Sequence, residues 1–145
     1  TARRYVETHS EQPILALFQG VGRACRATRG VVMALARFDW GEGQVQVGSV
    51  GNIELRVFGP KEPIRTLVRR GVLGVSAPPP VVSEHAWDPG YMMVMHSDGL
   101  RTHWRLTDIP GVMEKPATEA AQMLLRHLSK DSDDATVVVA RGAVR

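Results

Sequence analysis

The spacing of apolar residues changes several times along the chain. From Pro13 to Cys25 the apolar positions recur every three or four residues, which predicts an amphipathic helix. A similar stripe between Pro116 and Leu128 predicts a second helix, with a proline suited to its first turn. Residues 1–8 have the pattern of the end of a further helix, and Pro13 marks the restart.

Strand patterns fill the stretch between these helices and return after the last one. Alternating or continuous apolar runs predict seven strands, at Val31–Asp39, Gln44–Val47, Ile53–Phe58, Arg65–Val68, Val81–Ala86, Tyr91–His96 and Thr136–Ala140. Gly51 and Asn52 lie between the second and third strands and predict a β-hairpin there. Consecutive antiparallel strands with helices around them indicate an α+β fold, and 145 residues suffice for one domain.

Composition narrows the classes of partner. The net charge is +3, the basic residues are scattered and the aromatic content is only 6%, so we expect no nucleic-acid partner. No apolar run approaches the ~18 residues of a membrane helix, and no apolar segment of a signal peptide follows the N-terminus, so we expect no membrane partner. The single cysteine, Cys25, excludes an internal disulfide and agrees with a cytoplasmic location.

Two acidic loops adjoin predicted core strands. Asp98 follows the strand Tyr91–His96, while Asp133 and Asp134 precede the strand Thr136–Ala140. Carboxylates at the ends of neighbouring strands can converge, and Gly99 would allow a close approach of the backbone. Such oxygen ligands suit Mg²⁺ or Mn²⁺. The same residues also fit an ordinary β-turn and a solvated loop, and the residues alone leave both interpretations open.

Other chemistries find less support in the sequence. A cysteine phosphatase loop is excluded because Val31 stands where the required arginine would follow Cys25, and the serine hydrolase, Rossmann and P-loop patterns are absent. His96 lies beside the first acidic loop and fits a packed or hydrogen-bonded flank. Arg23, Arg26 and Arg29 fit either a solvated helix face or a cradle for a phosphorylated partner.

Five short motifs occur in an order that resembles a known family. They are Thr28-Arg29-Gly30-Val31, Val47-Gly48-Ser49-Val50-Gly51-Asn52-Ile53, Gly71-Val72-Leu73-Gly74, Met95-His96-Ser97-Asp98-Gly99-Leu100 and Asp133-Asp134-Ala135-Thr136-Val137. The set resembles the metal-dependent protein serine/threonine phosphatases of type 2C, the PPM family. Within that family it is most similar to the bacterial sporulation-protein-E branch and its short RsbX-type members. Each motif alone is common, whereas the ordered set is specific.

The resemblance implies an antiparallel β-sandwich flanked by helices and two Mn²⁺ or Mg²⁺ ions in a complete domain. In the family, a water that bridges the two ions attacks the phosphorus atom. By position, Asp98 and Asp133 match two ligands of the same ion. Gly99 matches the glycine beside the first ligand, and Asp134 replaces the usual asparagine, so we expect both to lie next to the site with His96. Arg29 is a candidate contact for phosphate or a partner.

One departure from the family pattern is large. The Asp-Gly-x-Gly motif, which carries the bridging ligand, is absent, and the chain's one Asp-Gly pair is Asp98-Gly99. We therefore expect residues 1–145 to be the C-terminal portion of a single phosphatase-like domain, incomplete at its N-terminus and poorly active alone. The family implies a phosphorylated regulatory substrate, such as a STAS-domain protein, in bacterial stress-response or anti-sigma partner switching.

Two alternatives belong to other functional classes. A degenerate domain on the same fold would regulate by binding without catalysis. A structural or small-ligand domain would use its acidic loops only as turns. Metal binding distinguishes the phosphatase from the structural domain, and activity of a longer protein distinguishes it from the degenerate one.

Overall fold

The structure is a computed structural model that describes residues 1–59, 61, 64–65, 70–130 and 134–142. Contacts divide the chain into two compact units, Thr1–Ile53 with Thr66–Trp87 and Glu54–Arg65 with Asp88–Arg145. The helices are α1 (Ala2–Thr8), α2 (Ile14–Ala24) and α3 (Ala117–Leu128). The strands are β1 (Met33–Asp39), β2 (Gln44–Val50), β3 (Ile53–Phe58), β4 (Ile64–Arg65), β5 (Ser83–Ala86), β6 (Met92–Ser97) and β7 (Val137–Arg141).

The first unit contains an antiparallel sheet in the order β1-β2-β5. A tight turn joins β1 to β2, so Asp39 pairs with Gln44 and Met33 with Val50. Helix α2 contributes the apolar stripe that its sequence predicts, and this stripe is buried in a cluster with strand and loop residues. The members of this core include Ile14, Phe18, Val21, Cys25, Val50 and Leu73.

The predicted hairpin at Gly51 and Asn52 is wrong. β2 uses one edge for β1 and the other for β5, whereas β3 pairs in a different sheet. β3 pairs with β4 and β6 instead and does not fold back on β2. Gly51 has a φ of 99°, and the N–H of Ile53 donates to the Gly51 carbonyl at 2.9 Å, which makes a tight connection without a hairpin.

The second unit contains an antiparallel sheet in the order β4-β3-β6-β7. β6 is flanked on both sides, and its Met92 and Val94 are fully buried. β7 pairs with β6 so that His96 faces Val137 across the ladder. Helix α3 buries its predicted stripe in the same core, whose members include Ala120, Leu124, Leu128, Leu100, Trp104 and Ile109.

The α+β class with antiparallel sheets and flanking helices is confirmed. The elements agree with the predicted ranges to within a few residues, because periodicity reports the buried face of each element directly. The fourth predicted strand, Arg65–Val68, overlaps β4 (Ile64–Arg65) at Arg65, while residues 66–68 lie outside the described residues. In the ranges that are described, no helix is both long and apolar enough to cross a membrane.

Candidate functional site

The turn that carries Asp98 is delivered by a buried strand. β6 ends at Ser97, Asp98 and Gly99 make the turn, and Leu100 is fully buried directly after it. The Asp98 side chain is exposed, and its carboxylate has no hydrogen bond or ion pair with any residue that the structure describes. A rigid strand therefore presents an uncommitted carboxylate to solvent.

This turn is bonded to the chain that leads into β7. The N–H of Ser97 donates to the Thr136 carbonyl at 3.0 Å, and the N–H of Thr136 donates to the Ser97 hydroxyl at 3.0 Å. A Cβ on Gly99 would lie 2.2 Å from the Asp134 carbonyl oxygen, so only glycine fits this approach. The approach expected at Gly99 is thus present. Asp133, the predicted second ligand, lies outside the described residues.

A third segment fixes the turn from the end of α3. The N–H of Lys130 donates to the Gly99 carbonyl at 2.8 Å, and the Lys130 ammonium donates to the Asp98 carbonyl at 2.9 Å. The N–H of Arg101 donates to the Leu128 carbonyl at 2.9 Å. The backbone of Asp98 is therefore held from two directions, which restricts where its carboxylate can point. Sequence reasoning missed Lys130, which is 32 residues from Asp98.

His96 lies directly beneath the turn and is only 5% exposed. The indole N–H of Trp104 donates to its Nε2 at 3.1 Å, which requires the proton of a neutral imidazole to be on Nδ1. That Nδ1 lies 2.9 Å from the Ser97 carbonyl and donates to it. The ring thus fixes the backbone immediately before Asp98. The expectation of a hydrogen-bonded flank is confirmed.

A largely buried ion pair lies beside this histidine. The guanidinium of Arg56, a residue that is 4% exposed, lies 3.2 Å from the Glu54 carboxylate and 3.9 Å from the Trp104 ring centroid. It also donates to the Trp104 carbonyl at 2.8 Å. The other Glu54 oxygen lies 3.3 Å from the His96 Nε2. Sequence reasoning missed these residues, because Glu54 and Arg56 occupy polar positions of an alternating strand and resemble a solvated face.

The remaining predicted site residues are Asp134 and Arg29. Asp134 is exposed, and it is the backbone of this residue that contacts Gly99. Arg29 belongs to the first unit, where it is exposed in the turn after α2. The described residues therefore bring Asp98, Gly99, Asp134 and His96 together in the second unit.

The described donor of the expected metal site is a carboxylate, a group that hard divalent cations prefer. The described oxygen donor is the free carboxylate of Asp98, and the chain adjoining Asp133 is bonded to the same turn. Mg²⁺ and Mn²⁺ prefer carboxylate oxygens. Within the part of the chain that the structure describes, no group of three or more His, Cys, Asp or Glu side chains is placed to hold a metal ion.

Comparisons with known proteins give similarity at the level of solved structures. No family model and no curated protein matches the chain. One similar structure comes from work on the bacterial stressosome, which is described there as a modular system adapted to control secondary messenger signalling. That protein is 28% identical to this chain with a TM-score of 0.86, and the match covers 97% of this chain and 73% of that one. The structure of RsbX in complex with magnesium is 20% identical with a TM-score of 0.78, and the match covers 95% of this chain and 69% of that one.

A further similar structure carries the name of the phosphatase class. It contains the PP2C phosphatase domain and a fragment of the regulatory domain of SpoIIE from Bacillus subtilis. That structure is 16% identical with a TM-score of 0.73, covering 97% of this chain and 47% of the other. The chain therefore has the fold of the type 2C protein phosphatases, with RsbX and SpoIIE among its structural neighbours, as the ordered motifs of its sequence predict.

Proposed function

We propose that this chain is part of a metal-dependent phosphoprotein phosphatase that acts on phosphoserine or phosphothreonine. The observation that carries the proposal is the double hydrogen bond between Ser97 and Thr136. It ties the turn that presents Asp98 to the segment directly after Asp133. Two carboxylates that the family pattern assigns to one ion are thus carried by chain segments that are bonded together.

Each residue of the turn has a separate task in this proposal. Asp98 and Asp133 would hold Mn²⁺ or Mg²⁺, and Gly99 admits the Asp134 backbone beside the Asp98 turn. His96 fixes the Ser97 carbonyl, and Lys130 fixes that of Asp98, so the ligand carboxylate starts from a restrained backbone. Two bound ions would supply an activated water for attack on phosphorus and would neutralise the phosphoryl oxygens.

The proposed substrate is a phosphorylated regulatory protein, such as a STAS-domain protein, in a bacterial stress-response or anti-sigma partner-switching system. The support is the similarity to RsbX and to the protein from work on the bacterial stressosome. We place the activity in the cytoplasm, within a single phosphatase-like domain to which residues 1–145 contribute.

The test is hydrolysis of a phosphoserine peptide with Mn²⁺ or Mg²⁺, followed as phosphate release by the full-length product of the gene. We expect metal-dependent turnover that falls about 100-fold or more in Asp98→Asn and in Asp133→Asn, because even the outer partners of metal ligands affect activity by about 10–100-fold. Asp88→Asn is the matched control, because its side-chain oxygen accepts from the Gly90 N–H and an amide oxygen can do the same. We expect this control to keep full activity.

The competing function is a degenerate, non-catalytic binding module on the same fold. A degenerate domain would lack the Asp-Gly-x-Gly motif, which residues 1–145 do not contain. The full-length product decides between the two functions: metal-dependent turnover that requires Asp98 excludes the degenerate module. Absence of turnover in a folded full-length product overturns the phosphatase proposal.

A further inference from the structure

A groove lies within the first unit, whereas the Asp98 turn belongs to the second. It runs between α2 and the segment 73–80 and encloses about 370 Å³. One side carries the basic side chains of Arg23 and Arg26, and the other consists of Val75, Pro78 and Pro79. We call it the α2 groove. Nothing in the proposed phosphatase chemistry uses it.

The walls of the α2 groove are fixed without an occupant. Val72 and Ser76 exchange two backbone hydrogen bonds, of 2.9 and 3.0 Å, which close a tight turn that presents Val75. Gly74 has a φ of 95°, and a Cβ on it would lie 2.6 Å from the Cys25 carbonyl oxygen. The turn is therefore seated against the end of α2, and an incoming chain would not have to order it.

The apolar side of the groove is open to solvent. Val75 is 68% exposed, more than any other large hydrophobic side chain among the described residues. Pro78 and Pro79 are exposed beside it and have no backbone N–H to donate. This side therefore offers ring and methyl surface, which suits the apolar side chains of an extended segment.

The other side of the groove has uncompensated positive charge. Arg23, near the end of α2, and Arg26, in the turn after it, are both exposed and both line the groove. No Asp or Glu is among the described residues that line the groove, and neither arginine has an ion pair with a described residue. Carboxylate groups match the fork of an arginine side chain and would relieve this repulsion.

We propose that the α2 groove binds an extended, acidic segment of a partner protein. Carboxylates of that segment pair with Arg23 and Arg26, while alternate apolar side chains contact Val75 and the prolines. The proposal concerns binding only and goes beyond hydrolysis. It therefore stands or falls separately from the phosphatase function.

The test is fluorescence anisotropy in metal-free buffer with a labelled peptide of alternating Glu, Leu and Asp residues. An equal-length peptide with Gln and Asn in place of the acids is the probe control. We expect the acidic peptide to bind at least about tenfold more tightly than the control peptide. Its binding should weaken between 0.1 and 1 M salt, because the charge-screening length shortens to about 3 Å. Equal binding of the two peptides would overturn the proposal.

Variants locate the binding on the protein. We expect the double variant Arg23→Gln with Arg26→Gln to lower the affinity for the acidic peptide about tenfold. The double variant Arg4→Gln with Arg126→Gln removes the same charge from exposed positions on α1 and α3 and should leave affinity within about twofold. Equal losses in both pairs would show a general charge effect and would refute the groove as the site.

The apolar contact is tested separately at Val75. We expect Val75→Ser to weaken the acidic peptide about threefold to tenfold, and Val138→Ser, at a valine that is 52% exposed in β7, to leave it unchanged. Circular dichroism checks that each variant is folded. Unchanged affinity in folded Val75→Ser would contradict the placement of the peptide in the groove. Metal-dependent hydrolysis plays no part in these measurements, so their failure and that of the phosphatase proposal are distinguishable.

Discussion

Replacement of Gly99 by alanine tests the contact between the Asp98 turn and the chain before β7. The added Cβ would lie 2.2 Å from the Asp134 carbonyl oxygen and 2.8 Å from the Ala135 Cα. Both distances are about 1 Å below ordinary van der Waals contact. Both neighbours are main-chain atoms, so neither can rotate away as the end of a side chain could. One of the two segments must move as a whole.

The expected cost follows from that displacement. Overpacking of this kind lowers the free energy of unfolding by about 1–3 kcal/mol. At about 3 °C per kcal/mol for a chain of this size, Gly99→Ala should lower Tm by about 3–9 °C. The shift should also weaken Mn²⁺ binding, because it separates the segments that carry Asp98 and Asp133.

The assay is urea unfolding followed by circular dichroism, with Gly22→Ala as the matched control. A Cβ on Gly22 meets no atom closer than 3.9 Å, and the position lies inside α2. Alanine there should raise the free energy of unfolding by about 0.5–1 kcal/mol through helix propensity. The same substitution should therefore lower the free energy of unfolding at Gly99 and raise it at Gly22. If Gly99→Ala is as stable as the wild type or more stable, the close approach does not exist.

Three further predictions concern buried groups. Trp104→Phe keeps an aromatic ring but removes the N–H that donates to His96, so urea unfolding should show a loss of about 1 kcal/mol. Arg56→Ala removes one ion-pair partner of Glu54, which is 24% exposed, and should lower the free energy of unfolding by about 2–4 kcal/mol. Arg56→Met keeps the ring packing and should cost less, and the reverse order would refute the ion-pair argument. Cys25 is 2% exposed, so a thiol reagent should modify it at least about 100-fold more slowly in buffer than in urea, and equal rates would contradict its burial.

Elements with a local signature could be predicted from the sequence. The apolar stripe of α2 and the run of β6 depend only on residues near one another in the chain, so periodicity was sufficient for both. Strand pairing is not local in this sense. Gly51-Asn52 has the composition of a hairpin turn, yet β2 pairs with β1 and β5, and β3 pairs in the other sheet. No pattern within the two strands reports that competition.

The residues of the candidate site also divide into those with a local sequence signature and those without one. Asp98, Gly99 and His96 could be predicted because they adjoin the end of one strongly apolar strand. Arg56 could not, since alternation along β3 assigns it to a polar face, whereas Trp104 covers it from 48 residues away and leaves it 4% exposed. Lys130 likewise acts on the turn through backbone contacts that no motif encodes.

The most direct test of the central claim is a Mn²⁺ titration of residues 1–145 followed by electron paramagnetic resonance. If Asp98 and Asp133 hold one cation, the chain binds Mn²⁺ weakly, because two carboxylates and water are a small ligand set. Asp98→Asn and Asp133→Asn should each lower that affinity at least about tenfold, and Asp88→Asn should not. Equal Mn²⁺ affinity in the wild type and in both ligand variants would contradict a shared metal site at this turn.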